Sequence, residues 1–583
     1  MKNPFSRHGT SSTDPRRRTR RVSGTLAFFT AIALTAACGT AATTDSSATS
    51  ASAVAAADES SGTVWTTISS AVRQASIGAS VSDVLAANAD TSEAVAAATS
   101  TEQSGSWDTD SATTITLDGD SASVSGDAAD SVSVDGTTVT ITGSGTFVLA
   151  GSLDDGEVVV NAADAEVHLV LDGVTITNTD GPAIDIQDAG SAVVVLAEGT
   201  ENALTDGETY SDTSEDAPTA TLFSSDTLTI TGTGSLTVTG NSNDGISSKN
   251  GLAITGSPTI TITAADDGVR GKDWLLVSGG SLTVTAGGDG LKSTEDDDET
   301  KGFVALGEAE IAITSGDDGI SATTDVTVDG TTLSIIAGGG QSNASTVQSQ
   351  PGWQADPDDT EDESSTDDSV KPKGVNAGVA YSQDSGTVAV DAADEGLQGA
   401  FITVSGGTLT IASGDDGINA TNGDYTIEGY EGYENADSES DDGAYLTITG
   451  GSVQVDYARS DGIDSNGSAS VTGGQVVVAG SAGSMDGAVD VNGESDVVGV
   501  TGSPSVAVGD TITVTSSDGT SWTLTSTISS DYVTVLGLTE GTEYTVATTS
   551  GGSATGTASA LSAGMGVMGG QGQPGQGGQG GPR

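Results

Sequence analysis

Thr259-ITITAADD-Gly268, Ser281-LTVTAGGD-Gly290, Glu310-IAITSGDD-Gly319, Thr387-VAVDAADE-Gly396 and Thr408-LTIASGDD-Gly417 align over ten residues without a gap. Each segment alternates apolar and small polar residues, then closes on an acidic turn and a glycine. Alternation with period two marks a half-buried strand, with Ile, Leu and Val on one face and Thr or Ser on the other. The residues before the closing glycines are Asp267, Asp289, Asp318, Glu395 and Asp416, and neighbouring copies without a large insert lie 22, 29 and 21 residues apart. Comparable turns occur at Asp244-Gly245, Asp461-Gly462 and Asp486-Gly487. At ~3.3 Å per strand residue, a repeat of about 22 residues has a contour of roughly 70 Å, room for three short strands and their turns. That is one rung of a β-solenoid, in which rungs stacked at ~4.8 Å give parallel sheets around a narrow apolar core. The expected class is therefore all-β.

Working outward, residues 107–499 form the repeat domain, interrupted near 338–373 and 424–442. Residues 137–500 hold roughly 14 rungs, or about 65 Å at the strand spacing. The first insert is polar and acidic, and the second carries Tyr425, Tyr430 and Tyr433 among acids. Residues 500–550 have longer alternating strands that suit a β cap, and the Gly/Gln/Pro-rich end, 551–583, is expected to be a disordered tail. Before the repeats, aliphatics between Val64 and Ser100 recur at helical intervals and predict one or two short helices.

Arg16–Arg21 precede an apolar run, Thr25–Ala37, that stops at Cys38, the layout of a bacterial secretion signal. The end of the run is similar to a lipoprotein signal box, with Thr35 in place of the usual aliphatic residue. That similarity implies removal of residues 1–37 and lipidation of Cys38, leaving the protein on the outer face of the cell membrane. Ordinary cleavage with a free thiol is the alternative. Residues 38–106 then start as an Ala/Ser/Thr spacer too simple to build a core. Arg20-Arg21 lacks the apolar pair expected after a twin-arginine export signal.

Cys38 is the only cysteine, which excludes internal disulfides and cysteine-based metal or redox centres. The 82 acids against 17 Lys plus Arg give a net charge of −65, which excludes nucleic-acid binding through a general basic surface. His8 lies in the signal and His168 stands alone on an alternating strand, so a histidine-based triad has one base and no nucleophile motif.

Gly199-TENALTDGETY, Leu228-TITGTGSLTVTGNSNDGISSKNGLAITG and Asp266-DGVRGKDWLLVSGGSLTVTAGGDGLKSTEDDDETKGFVAL together resemble a secreted bacterial carbohydrate-binding family. The resemblance spans roughly Trp107 to Thr549. It implies a right-handed parallel β-helix like that of pectate lyases, binding of polysaccharide including acidic sugars, and calcium held by turn carboxylates. The sequence departs from the family at Ser224-Ser225, where lysine and aspartate are common, and in the acidic insert near 355–368, which bears on ligand preference.

The residues offer their own argument for a metal. Asp-Gly is a favoured turn pair by itself, because Asp bonds its own backbone and Gly accepts positive φ. Stacked carboxylates ~5 Å apart repel by about 0.8 kcal/mol in water and more where water is excluded, and asparagine would make the turn without that cost. A hard cation with oxygen ligands, calcium above all, accounts for the persistence of acid. Candidate ligands are Asp266, Asp267, Asp289, Asp317 and Asp318, then Asp296, Asp297 and Asp298. Asp415, Asp416, Asp461, Asp464 and Asp486 form a second group.

Of ten bases beyond Cys38, five (Lys249, Arg270, Lys272, Lys292 and Lys301) fall between 249 and 301. Arg270 and Lys292 stand two residues after their turn glycines and are expected to share an edge of adjacent rungs. They either neutralise nearby aspartates or, with calcium, hold a uronate carboxylate. Trp274, Tyr425, Tyr430 and Tyr433 are candidate platforms for sugar rings, or packing residues. Three functions follow: a non-catalytic polysaccharide-binding lipoprotein; a calcium-dependent lyase with Lys292 as base and Arg270 beside it; or a structural adhesin whose partner is another surface protein. The first is favoured, because many aspartates near Lys292 raise its pKa and make it a poor base.

Overall fold

The computed structural model describes residues 64–344, 371–430, 440–480 and 487–561, apart from 213, 215, 216, 503 and 532. Cys38 and the signal, most of the first insert, Tyr433, Asp486 and the tail from 562 lie outside the described residues. Strand makes up 52% and helix 7%, which sets the class as all-β, and one mostly parallel sheet joins 37 strands.

That sheet is built from three parallel ladders that the chain visits in turn. In the first, Thr259–Ala264 pairs with Ser281–Ala286, and Glu310–Ser315, Thr332–Ala337, Thr387–Ala392 and Thr408–Ser413 follow residue for residue. The five aligned segments are thus neighbours in space. Thr332–Ala337 is a sixth member, which the alignment misses because three glycines and an insert replace its acidic turn. Burial alternates strictly in these strands. Ile262, Val284, Ile313, Ile335, Val390 and Ile411 stack inward, none more than 4% exposed. Each such side chain contributes about 1.5–3 kcal/mol by leaving water.

The second ladder follows the acidic turn: Val269–Gly271, Leu291–Ser293, Ile320–Ala322, then the starts of Val375–Gln383 and Leu397–Val404, then Ile418–Ala420 and Ile463–Ser465. The third runs through Trp274–Val277, Phe303–Leu306 and Val326–Val328 to Tyr445–Ile448 and Ser468–Val471. It is apolar on its outer side as well, and that side needs a cover.

The cover is the segment that precedes the repeats. Helices α1 (Ser70–Ser76), α2 (Val81–Ala87), α3 (Ser92–Ala97) and α4 (Ser100–Gln103) run from later rungs back to earlier ones. Ile68, Ala79 and Val84 pack on Val379, Ala380 and Phe401. Ala89, Ala94 and Val95 pack on Trp274, Phe303 and Ala305, and Ala98 packs on Val170, Val193 and Val195. Helices this short do not persist alone in water; capping boxes at Ser80 and Thr99 and burial against the ladder hold them. Residues 64–106 are therefore part of the folded body, whereas the sequence places the edge of that body at 107.

After the last parallel strands, Val533–Leu536 pairs antiparallel with both Gln475–Gly480 and Ser495–Gly502. A four-stranded antiparallel sheet, Thr511–Ser516, Ser521–Thr525, Glu543–Thr548 and Gly552–Thr557, follows with its own small core around Ile512, Val514 and Val546, so the cap runs past 550 into the segment that the sequence assigns to the tail.

Candidate functional site

The acidic turns join the first ladder to the second, and their glycines have a different cause from the one expected. Gly268, Gly290, Gly319, Gly396 and Gly417 all lack positive φ. What excludes a side chain is the next rung: a Cβ on Gly290 would lie 2.3 Å from Ile313 Cγ2 and 2.5 Å from the Gly319 carbonyl oxygen.

The acids before those glycines form a ladder of their own. Asp267 Oδ1 accepts from the Asp289 N–H at 3.0 Å, Asp289 Oδ1 from Asp318 N–H at 2.9 Å, and Asp318 Oδ1 from Lys373 N–H at 2.7 Å. Further along, Asp416 Oδ1 accepts from Asp461 N–H at 2.8 Å and Asp461 Oδ1 from Gly487 N–H at 2.6 Å. One carboxylate oxygen per rung thus satisfies a backbone donor of the next. Lys373 takes the column position between Asp318 and Glu395, and its ammonium reaches Glu395 at 3.2 Å.

Arg270 and Lys292 are cross-strand partners, as their spacing predicts, and both turn toward this column. Arg270 meets Asp244 at 2.5 Å as an ion pair without hydrogen-bond alignment. Lys292 Nζ bridges Asp289 at 2.8 Å and Asp267 at 3.2 Å. Lys272 pairs with Glu295 at 2.9 Å and Lys301 with Asp273 at 3.1 Å. Burial disfavours the Lys292 charge, but Asp289 and Asp267 outweigh it and hold its pKa above the ordinary lysine value. Burial pushes Asp289 up to about 6 against the pull of Lys292, and pushes Asp244 up to about 7 against that of Arg270. Asp318 also rises to about 7, through burial and then Asp289.

Carboxylate groups compact enough for a cation, with ligand atoms within 4.8 Å, are Asp244/Asp266/Asp267, Asp289/Asp317/Asp318 and Glu295/Asp296/Asp297. Asp244, legible in the sequence only as a comparable turn, and Glu295, which precedes the run Asp296–Asp298, are ligand candidates that the structure adds. Asp298 spends one oxygen on the Thr300 N–H and hydroxyl. In the second group, Asp464 follows Asn419 in the neighbouring register position and Asp490 follows Asp464. Burial, then Asp461, Asp490 and Asp442, push Asp464 up to about 8, and Asp416 is raised for the same kind of reason. Asn419 Oδ1 and Asp490 Oδ1 are buried without a hydrogen-bond partner among the described residues. Asp415 accepts from the Ser460 hydroxyl.

One step beyond the acid column lies a polar row, Arg270, Lys292, Ser321, Asn376, Gln398, Asn419 and Asp464, paired in register from rung to rung. Lys292, Ser321, Asn376 and Gln398 line a cleft of about 360 Å³ with Trp65 and Tyr425. These two aromatic rings meet at 4.8 Å and 46°, and the Tyr425 hydroxyl donates to Thr323 O at 2.8 Å. Asp296 and Asp424 complete its rim. Trp65 is missed by the sequence reading because only the docked segment, tied by Trp65 N–H to Asp296 O at 2.7 Å, carries it to this place.

Trp274 requires a correction as a sugar platform. It is 6% exposed, lies against Gly251 and Phe303, and is covered by Ala94 and Val95 of α3. Tyr430 stands under the Arg73 guanidinium, 4.9 Å from its ring centre, and is part of the seat of α1.

Residues 135–417 match the family model described as carbohydrate-binding domain-containing protein. A carbohydrate-binding domain-containing protein of Acetivibrio thermocellus is 37% identical over 129 residues, 22% of this chain and 45% of that protein. The chain thus spans less than half the length of that relative. A solved structure of a polysaccharide lyase-like protein from C. thermocellum, a gadolinium derivative, is 36% identical and covers 39% of this chain and 92% of its own, with a TM-score of 0.38.

Proposed function

We propose that this protein is a non-catalytic polysaccharide-binding protein that lays its ligand along the polar row and against Trp65 and Tyr425. The observation that carries the reading is the cleft itself, where four consecutive members of an in-register row form one wall and an aromatic pair another. Amides and a hydroxyl repeated at ~4.8 Å suit the hydroxyls of an extended chain, and aromatic faces suit the C–H faces of sugar rings. The three parallel ladders, visited in turn, support a parallel β-helix, with its right hand part of the proposal, and its regular repeat would match a polymer better than a small molecule. Lys292, at the end of this wall, favours polymers with carboxylates, such as polygalacturonate. A lyase would need Lys292 to lose a proton that two carboxylates hold in place, so the residue serves as a contact rather than a base.

Calcium is part of the proposal, at the carboxylate groups compact enough to hold it, Asp244/Asp266/Asp267, Asp289/Asp317/Asp318 and Glu295/Asp296/Asp297. In the first half of the column Arg270, Lys292 and Lys373 already supply positive charge. When bound, calcium would neutralise the carboxylates that these bases leave unanswered and stiffen the turns that carry them. The protein is further proposed to sit outside the cell on lipidated Cys38, which a shift from the membrane fraction to the soluble one in Cys38→Ser would support.

The test is co-sedimentation of residues 60–583 with insoluble polygalacturonate, with and without calcium, while absorbance of unsaturated product is followed. Binding without new absorbance, lost in Trp65→Ala with Tyr425→Ala, is the expected result. Absorbance that rises and disappears in Lys292→Ala would overturn the non-catalytic reading.

A further inference from the structure

We propose that a second cleft, beside Tyr210, is a separate binding site for an ammonium-bearing sugar. It measures about 520 Å³, within the range of small-molecule sites, and is walled by Asp155, Glu157, Asp180, Asp185 and Asp212. No Lys, Arg or His is among its described lining residues. Five acids converge here without the bases that answer the turn column.

Asp185 gives the independent sign of a ligand. It is 5% exposed; Oδ2 accepts from Gln187 Nε2 at 2.7 Å, and Oδ1 has no hydrogen-bond partner among the described residues. A buried carboxylate oxygen left unmet is costly and calls for a cation or a proton. Burial and then the Asp185 charge raise the Glu157 pKa. Burial likewise raises that of Asp185, while Lys249, which is not among the lining residues, offsets part of this through its field.

The shape favours a molecule over a bare ion. Carboxylate groups packed tightly enough to cage a metal lie elsewhere among the described residues. The acids here surround a space, and Tyr210 forms part of its wall with its hydroxyl already donated to Asp206 at 2.7 Å. What Tyr210 offers is therefore a ring, which suits the C–H face of a pyranose. An ammonium group on that ring would meet Asp185 and Glu157, and a uronate would be repelled by the same acids. That the cation is carried by a sugar rests on the carbohydrate-binding reading of this segment, which spans the cleft.

The experiment is calorimetric titration of the full chain, at fixed physiological salt, with the β-1,4-linked glucosamine trimer and its N-acetylated counterpart. The free-amine trimer is expected to bind at one site, with the acetylated trimer at least tenfold weaker. Asp185→Asn and Glu157→Gln are each expected to weaken the amine trimer at least tenfold. Asp127→Asn, which removes an equal charge from an exposed position, is expected to leave it unchanged. Should Asp185→Asn lower the melting temperature, Glu157→Gln, at a half-buried position, carries the test. Absent binding, equal binding of both trimers, or equal weakening by Asp127→Asn would overturn the proposal. Polygalacturonate co-sedimentation on the same preparation separates the two readings. If it persists while the amine trimer fails, only this inference falls; if both fail, the carbohydrate reading falls with it.

Discussion

Replacing Gly319 by alanine is expected to destabilise the protein by about 1–3 kcal/mol, although the backbone there is one that any residue adopts. The new Cβ would lie 2.3 Å from Ile335 Cγ2 and 2.5 Å from the Gly374 carbonyl oxygen. Favourable carbon contacts are ~3.5–4.0 Å, so more than an ångström must be recovered. The Gly374 oxygen has little freedom to retreat, because it accepts the Ile320 N–H at 3.1 Å as a link between rungs. Overpacking of this kind costs ~1–3 kcal/mol and a stretched hydrogen bond up to about 1 more. Reduced freedom of the unfolded chain returns ~0.4–1 kcal/mol. Gly173→Ala is the contrasting case: its φ is +78° with no atom within 4 Å of the added Cβ, so strain of ~1–2 kcal/mol acts without any clash. Ile335→Ala in the Gly319→Ala background removes the side-chain clash and leaves the carbonyl clash. It should therefore fail to recover the whole loss beyond its own cavity cost. Urea unfolding followed by circular dichroism measures each midpoint. A Gly319→Ala midpoint equal to wild type would refute the claim that the turn glycines are fixed by stacking between rungs.

Asp289→Ala leaves the Asp318 N–H without its acceptor, an expected cost of about 1–3 kcal/mol, whereas Asp289→Asn keeps an acceptor oxygen and should lose less. Equal losses in urea unfolding would contradict the ladder. His168 Nδ1 meets Glu102 of α4, and Nε2 meets Glu166 at 3.1 Å; burial opposes the imidazolium, but the two carboxylates prevail and its pKa is raised. Burial also opposes the Glu102 charge and is outweighed by hydrogen bonds from His168 and Thr99, so that pKa is lowered. The His168 contribution is full below its unfolded value of 6.5 and fades as pH rises through the raised pKa. The Glu102 contribution is present above its unfolded value of 4.5 and fades as pH falls through the lowered one. Protection of residues 64–106 from protease should therefore be greatest between these values, and a pH profile unchanged in His168→Gln would count against the contact. Calcium at 100 times its dissociation constant should raise stability by ~2.7 kcal/mol, and chelator should remove that gain. A melting curve indifferent to both would rule out a structural ion at the Asp244/Asp266/Asp267, Asp289/Asp317/Asp318 and Glu295/Asp296/Asp297 groups. Trp274→Ala should cost ~3–5 kcal/mol through its cavity with polysaccharide affinity retained, and Trp65→Ala should show the reverse balance. Loss of affinity in a folded Trp274→Ala protein would restore that residue as a ligand contact.

The strands, their inward faces and the spacing of the acidic turns were set by the sequence alone. Side-chain direction in a strand follows from period-two alternation, which is local, and Ile262, Val284, Ile313, Val390 and Ile411 are all inward as their positions require. The pairing of Arg270 with Lys292 was legible for the same reason, since equal offsets from equivalent turns give equal register. Contacts between distant segments were not. Lys373 enters the acid column only because the chain leaves Thr332–Ala337 through an insert and returns at that rung. Trp65 meets Tyr425 across 360 residues because the outer apolar side of the third ladder recruits the helical segment, and the same recruitment buries Trp274. Tertiary structure alone decided which acids meet bases, which turn against one another, and which aromatics remain open. Those outcomes depend on where whole segments dock, and docking follows the apolar area each surface must hide rather than any spacing along the chain.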